Sequence, residues 1–437
     1  MPPYLPPPGL DAGADLVADK GKKAPTDRRR FLQGSSALAG GAVAATLAGP
    51  ARAAGEALPV PAWTRTQGRP AAGPYGQPSG FEGRVIRRVR EGAQPPFPTA
   101  ASSLTPLADI FGTITPNGLV FERHHAGIPD IDPEQHRLVI HGLVERPLSF
   151  SLNDLLRFPA VSRVHFLECA GNSGSEWRPA RKLTVQSLHG LLSCCEWTGV
   201  SLGTLLQEVG VAPEAKWLLA EGADAAAMTR SVPLDKALDD ALIVYAQNGE
   251  MLRPEQGYPL RLLLPGWEGN ISVKWLRRLK LGTAPWQSRQ ETSKYTDLLP
   301  DGTSRQFSFV LDVKSVITGP SGGQTLKSRG RQQITGLAWS GHGRIRRVDV
   351  SIDGGRNWEE AVLQTPVLDR ALTRFSLPWL WDGSPAVLQS RAVDSRGNVQ
   401  PTRSQLIAAR GTESAYHYNG IQSWQVLPSG EVHNVHI

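Results

Sequence analysis

The 437-residue chain has few cysteines: Cys169, Cys194 and Cys195 are its complete set. A number this small and odd excludes a disulfide-stapled scaffold. Neighbouring Cys194 and Cys195 point to opposite sides of any regular backbone, so they do not favour bridging one another. No C-x-x-C-H haem attachment is present, and there are too few thiolates for an iron–sulfur cluster, so electrons have no internal carrier. Cys169 has no zinc-type partner at C-x-x-C or H-x-x-x-H spacing. Beyond the N-terminal region no stretch reaches the ~18 apolar residues that span a bilayer, so a mature chain without a membrane span is expected. The formal charge is +7 without a concentrated basic stripe, which excludes a nucleic-acid partner.

Part of that charge belongs to the N-terminus. Met1 to Ala53 holds seven Lys or Arg against four Asp and so carries +3 of the +7. Met1 to Gly21, rich in Pro, Gly, Ala and Asp, has no apolar periodicity from which to build a core. Asp27-Arg28-Arg29-Arg30-Phe31-Leu32-Gln33 then leads into a Gly- and Ala-rich run ending at Ala51-Arg52-Ala53. This resembles a twin-arginine export signal with an A-x-A cleavage site, which implies export of a folded protein and work in the periplasm.

The rest of the chain divides by pattern. Residues 1–53 read as a lead and signal, and 54–104, rich in Gly and Pro, as an extended segment over the surface. Residues 105–300 read as a mixed αβ domain. Leu202, Leu205, Leu206 and Val209 recur at helical spacing between a possible N-cap, Ser201, and a stop, Gly210, with strands at Arg137 to Gly142 and Leu260 to Leu264. Residues 305–415 read as short strands. Val348, Val350 and Ile352 alternate with polar residues before the turn Asp353-Gly354-Gly355, Trp358 is available for a core, and Val387 to Asp394 runs into Ser395-Arg396-Gly397-Asn398. Arg344, Arg346 and Arg347 read as a solvated strand face. The expectation is an α+β chain: a mixed αβ domain, a β-sandwich, and a tail over 416–437.

Cys169 stands out by context. Val164-His165-Phe166-Leu167-Glu168 is strand-like and breaks into Cys169-Ala170-Gly171-Asn172, small residues that admit positive φ or close approach. A thiol there sits at a strand end facing a cleft; on spacing alone it is either a reactive or metal-binding cysteine or a buried structural one.

A set of motifs decides between these. Phe121-Glu122-Arg123-His124-His125-Ala126-Gly127-Ile128-Pro129, Glu168 to Asn172, Glu221-Gly222-Ala223-Asp224, Gly257-Tyr258-Pro259-Leu260-Arg261, Pro265-Gly266 and Ser272-Val273-Lys274-Trp275-Leu276 occur in the order found in sulfite oxidases. Over about Thr105 to Trp286 the chain resembles that family of molybdenum oxidoreductases. Leu192 to Gly199 and the tail Tyr416 to Trp424 bring it nearest to the molybdenum subunits of bacterial sulfane dehydrogenases of the Sox sulfur-oxidising system. The resemblance implies a molybdenum-molybdopterin cofactor with one pterin and an oxo group, with Cys169 as the protein ligand to the metal. A soft, deprotonated sulfur suits that metal where Ser would not.

By the same resemblance His125, Arg261, Ser272 and Lys274 contact the pterin or its phosphate, and Asp224 accepts bonds from pterin nitrogens. Without it, Arg261 and Lys274 would be snorkelling cations in strand-like surroundings, Asp224 a turn residue, and His125, like His124, a core or loop histidine. Arg123 matches the arginine that holds an oxyanion at the oxo face, and Tyr295 either orients substrate or moves protons, or else is a surface tyrosine.

Two departures bear on substrate. Ser173-Gly174-Ser175 stands where sulfite oxidases carry arginine, and Gln256 where a histidine is usual. With one cationic contact missing and a small rim at 173–175, the expected substrate is a sulfane sulfur on a carrier protein, with free sulfite as the alternative. The resemblance further implies a c-type dihaem cytochrome partner, an immunoglobulin-like dimerisation domain, and a homodimer within a heterotetramer. A non-enzymatic exported sandwich protein would leave the ordered motifs unexplained.

Overall fold

The computed structural model describes residues 61–67, 74–91 and 99–437. The export signal expected over residues 27–53 lies outside the described residues. Residues 61–67 are grouped apart from the body of the chain. Within that body the Gly/Pro-rich segment is more than a surface strap. It supplies β1 (Arg88–Glu91) and β2 (Ala101–Leu104), which pair with β3 (Glu122–His124) in a three-stranded antiparallel sheet. Leu104 and Ser103 are buried, and Arg90 donates to the Ser187 carbonyl at 2.6 Å.

Two five-stranded sheets face each other in the αβ domain. One contains β4 (Leu138–Gly142), β5 (Leu148–Phe150), β8 (Trp217–Gly222), β9 (Thr229–Pro233) and β13 (Leu276–Gly282), in the order β5-β4-β13-β8-β9. The other runs β11-β10-β7-β6, with β12 also on β10. Its strands are β6 (Val161–Glu168), β7 (Leu192–Ser201), β10 (Leu242–Gln247), β11 (Glu250–Met251) and β12 (Arg261–Leu263). Leu138, Ile140, Leu218, Leu279, Val200, Ile243 and Leu262 fill the space between them. The helix Leu202–Val209 adds Leu202, Leu205, Leu206 and Val209 to that core, the four positions its periodicity selects. Ser201 precedes it without a side-chain capping bond, and Gly210 ends it at φ 68°.

The strand alternation of β6 and β7 explains how the two domains share an interior. Side chains of successive residues leave opposite faces, so Phe166 and Cys194 enter the sandwich core while Leu167 and Cys195 enter a second cluster with Phe121 and Trp197. All three cysteines are unbridged, and burial pushes Cys195 up to about 12 and Cys194 higher still. Both are inert, space-filling thiols.

A short hairpin, β14 (Asp297–Leu298) and β15 (Ser304–Arg305), leads to the second domain. There β16 (Lys314–Gly319), β17 (Gly330–Trp339), β21 (Thr373–Trp381) and β20 (Val362–Leu363) form one sheet, ordered β16-β17-β21-β20. The other is β19 (Glu359–Glu360), β18 (Ile345–Ser351), β22 (Ala386–Asp394), β23 (Ser423–Val426) and β24 (Val432–Val435), in that order. Trp339, Val348, Val350, Phe375, Leu388 and Trp424 pack between them, giving the sandwich the turn pattern implies. Arg344, Arg346 and Arg347 are exposed, as a solvated face requires. Trp358 stays at the edge, half-buried beneath Arg391 with its guanidinium 4.5 Å from the ring, because its indole N–H turns back to the Gly355 carbonyl. The tail 416–437 does not stand apart: β23 and β24 belong to the sandwich. Among the described residues no helix is long and apolar enough to cross a membrane.

Candidate active site

Cys169 is the first residue after β6, and the alternation that sends Leu167 away from the sandwich sends Cys169 the same way. Both line a cavity of about 640 Å³, part of it continuous with solvent, whose walls come from the β3 region, the loop after β8, and the loop between β12 and β13. Its lining includes every residue expected in the site: Arg123, His125, Cys169, Asp224, Arg261, Ser272, Lys274 and Tyr295.

The thiol is fixed by its backbone. Cys169 N–H donates to the Leu191 carbonyl at 3.0 Å, and its own carbonyl accepts from Asn172 N–H at 2.8 Å. Gly269 N–H donates to the Glu168 carbonyl at 2.7 Å, and a Cβ on Gly269 would come within 2.8 Å of that oxygen, so the approach demands glycine. Burial pushes the Cys169 thiol up, while the Gly171 N–H and the Arg123 charge pull it down.

Beyond the thiol the cavity gathers Arg123, Arg261 and Lys274, none of which forms an ion pair among the described residues, although Glu122 and Asp224 also line it. Arg261 is buried and, among the described residues, has no ion-pair partner. One guanidinium nitrogen donates to the Gln256 carbonyl at 3.1 Å, the group stacks 5.3 Å from Trp197, and its Nε is unpartnered. Burial lowers it to about 10. Lys274 donates to the Glu255 carbonyl at 2.9 Å and sits 4.3 Å from the Trp275 ring centroid; burial, then Arg261, bring it down to about 7. His124 and His125 are each lowered to about 4, first by burial and then by Arg123 and Lys274, so both are neutral at pH 7. His124 Nδ1 has no hydrogen-bond partner. Buried cations and orphaned donors of this kind are costly without an anion, so the donor set fits the phosphate of a pterin cofactor. Asp224 Oδ1 accepts from Met228 N–H at 3.2 Å, which confirms the turn, while the carboxylate still faces the cavity as an acceptor suited to ring N–H groups. Among the described residues no group of three or more His, Cys, Asp and Glu side chains is arranged to hold a metal ion. Any metal here would therefore depend on Cys169 and on ligands the cofactor brings.

Arg123, in β3, donates to the Ala101 and His124 carbonyls. Tyr295 is far from a surface tyrosine. Its hydroxyl lies 3.4 Å from His125 Nε2, its ring meets Tyr416 at 5.0 Å, and the Arg230 guanidinium stands 5.1 Å from its centroid.

Two expectations are corrected. Ser173 is no rim residue: at φ 64° it turns inward, 2% exposed, and its hydroxyl bonds His189 Nδ1 at 2.6 Å and Lys314 Nζ at 2.8 Å. None of 173–175 lines the cavity. Lys274 lies in a bend between β12 and β13 rather than in a strand, and this allows its long side chain to turn into the cavity.

Sequence reasoning missed a second group. Arg230, Glu268 and His417 form a buried cluster, with Arg230 to Glu268 at 2.8 Å and His417 to Glu268 at 3.5 Å, beside cavity-lining Asn270. His417 N–H also donates to the Ala170 carbonyl at 2.9 Å, which ties the tail to the Cys169 loop. No local motif announces a contact between residues so far apart in sequence. The available signal was the tail's own Tyr416-His417-Tyr418 run.

Comparison with known proteins places this arrangement. Residues 125–290 match the oxidoreductase molybdopterin binding domain, and residues 305–423 the Mo-co oxidoreductase dimerisation domain. Sulfite oxidase of Gallus gallus is 35% identical over 72% of this chain and 73% of its own length. Mitochondrial sulfite oxidase of Mus musculus is 33% identical over 66% of this chain, which spans 58% of that protein. The crystal structure of the sulfane dehydrogenase SoxCD from Paracoccus pantotrophus superposes with a TM-score of 0.84 at 50% identity, covering 86% of this chain and 97% of that one.

Proposed function

Because the chain belongs to the sulfite oxidase family of molybdopterin oxidoreductases and is an oxidoreductase acting on sulfur through a molybdenum-molybdopterin cofactor, we propose that it oxidises a sulfane sulfur borne by a carrier protein. The observation that carries this reading is the convergence of Cys169, Arg123 and the unpaired cations Arg261 and Lys274 on one cavity, in a chain half identical to a sulfane dehydrogenase.

When bound, the cofactor supplies the redox centre at which sulfur gains oxygen and gives up electrons. Cys169 Sγ would be the protein's bond to the metal. Arg261, Lys274, Ser272 and His125 would hold the pterin and its phosphate, and Asp224 would accept from pterin N–H groups. Arg123 would attract and orient an anionic sulfur group, and its fixed charge would stabilise negative charge that develops there. Tyr295, next to neutral His125, keeps its proton, because burial raises the phenol well above its usual value, and so would serve as a hydrogen-bond donor to substrate.

The setting follows the same reading: export by the twin-arginine route, work in the periplasm, electrons passed to a c-type dihaem cytochrome subunit, and a homodimer through the C-terminal domain within a heterotetramer. The match to sulfite oxidases supports free sulfite as the second reading, with Arg123 as the cation that would hold it.

The test uses exported protein purified with its partners. Molybdenum content is measured first, then cytochrome reduction with carrier-bound sulfane sulfur against sulfite. About one molybdenum per chain with turnover of the carrier-bound form is expected. Turnover of sulfite alone moves the assignment to the second reading, and folded, matured protein without molybdenum refutes both.

A further inference from the structure

The residue before Cys169 points the other way. Strand alternation places Glu168 on the sandwich side of β6, where it is 3% exposed and both carboxylate oxygens are bonded. Oε1 accepts from Lys314 Nζ at 3.1 Å and from Asn172 at 2.9 Å, and Oε2 accepts from the Trp339 indole N–H at 2.6 Å. Lys314 opens β16 and Trp339 closes β17, so both donors come from the second domain. Lys314 is 2% exposed, stands 5.5 Å from the Trp339 ring centroid, and gives a further bond to Ser173 on the far side of the Cys169 turn. The sandwich therefore reaches through the domain boundary and grips the Cys169 turn on both sides.

We propose that Lys314 and Trp339 are positioning residues for the site: through Glu168 they fix the Cys169 turn and set the net charge directly behind the thiolate. The proposal rests on the reading of Cys169 as the metal ligand. Its physical basis is that a buried carboxylate one residue from the thiolate acts on the site as a full negative charge unless an equally buried cation cancels it. A ligand's electron donation is tuned by just such neighbouring charges and hydrogen bonds. The assignment also gives the dimerisation domain a part in the chemistry of the other domain, with no residue of its own inside the main cavity.

The test is an EPR-monitored redox titration of molybdenum in the loaded full-length protein, with metal content and melting temperature measured alongside. Lys314→Met leaves the Glu168 charge uncompensated, which favours the oxidised metal. The oxidised-to-reduced ratio at fixed potential should rise at least tenfold, a fall of about 59 mV for a one-electron couple. Glu168→Gln removes the negative charge and should move the potential the opposite way. Lys314→Arg, which keeps the charge, should restore the wild-type value. Trp339→Phe, which removes one hydrogen bond and no charge, should give a smaller fall than Lys314→Met. A purely structural role would lower the melting temperature of each variant without opposite shifts in potential. Shifts of the same sign, or none, overturn the proposal. If Lys314→Met does not fold, Glu168→Gln and Trp339→Phe still predict opposite shifts and decide it. Cys169→Ser run in parallel separates the two levels: if it leaves the molybdenum signal unchanged, the ligand reading itself fails; if it alters the signal while the Lys314 and Glu168 variants do not, only the present inference falls.

Discussion

Replacing Lys274 with Met should make the cofactor-free protein more stable while destroying its ability to hold the cofactor. In the folded, cofactor-free chain the ammonium is lowered from 10.5 to about 7, first by burial and then by Arg261, against weaker pulls from Glu122, Asp224 and Glu255. A depressed folded value means that the unfolded chain takes up the proton as pH falls below 10.5, while the folded chain takes it up only below about 7. Stability is thus free of this burden at high pH, declines as pH falls across that window, and levels off beneath it. At about 1.4 kcal/mol per pH unit the window amounts to about 5 kcal/mol as an upper bound. Met also abandons the hydrogen bond to the Glu255 carbonyl, which takes back about 1 kcal/mol. Allowing for partial solvent access, a net gain of roughly 3 kcal/mol is expected at pH 7. The assay is denaturant unfolding of cofactor-free wild-type and variant protein from pH 7 to pH 10, together with pterin and molybdenum content after expression with cofactor supplied. The gap in stability should be widest near pH 7 and should narrow as pH rises, and the variant should load poorly. A variant no more stable than wild type at pH 7, a gap that fails to narrow, or normal loading would each refute the argument that an anion is required here.

Three further outcomes follow from the same geometry. Cys169→Ser should fold and keep part of its pterin but lose turnover, checked by metal analysis and steady-state assay; normal turnover would remove Cys169 from the metal. Arg123→Ala should retain molybdenum while kcat/KM falls by about 10²–10³, the usual cost of one charged contact to a reacting group, and unchanged kinetics would place Arg123 outside the substrate's reach. Gly269→Ala drives a Cβ against the Glu168 carbonyl, a backbone atom that cannot step aside, and should lower stability by about 1–3 kcal/mol in urea unfolding.

What was legible in the sequence depended on range. The helix Leu202–Val209 was readable because its four buried residues repeat at one helical period, and β6 was readable because apolar residues stop at a cluster of small ones. The site residues were readable only as an ordered set of motifs: Lys274 and Arg261 taken singly look like surface cations, and it is their burial without an ion-pair contact among the described residues that marks them. Ser173 was misplaced because a serine's direction depends on one backbone angle, φ 64°, that its neighbours do not specify. The Arg230–Glu268–His417 cluster and the Lys314–Glu168 pair were hidden because Arg230 and Glu268 lie 38 positions apart and the Glu268–His417 and Lys314–Glu168 contacts span more than a hundred, and a lone Lys or Glu in a sequence gives no hint of its partner.

The contact between the tail and the Cys169 loop also bears on the order in which the protein can be made. Arg123 and Cys169 leave the ribosome early, but the contacts of Tyr416 with Tyr295 and of His417 with the Ala170 carbonyl cannot exist until synthesis has passed residue 417. A nascent chain would therefore carry the Cys169 loop and Tyr295 without this support behind them for most of translation, and the loop takes its final setting only after the tail has folded back onto it.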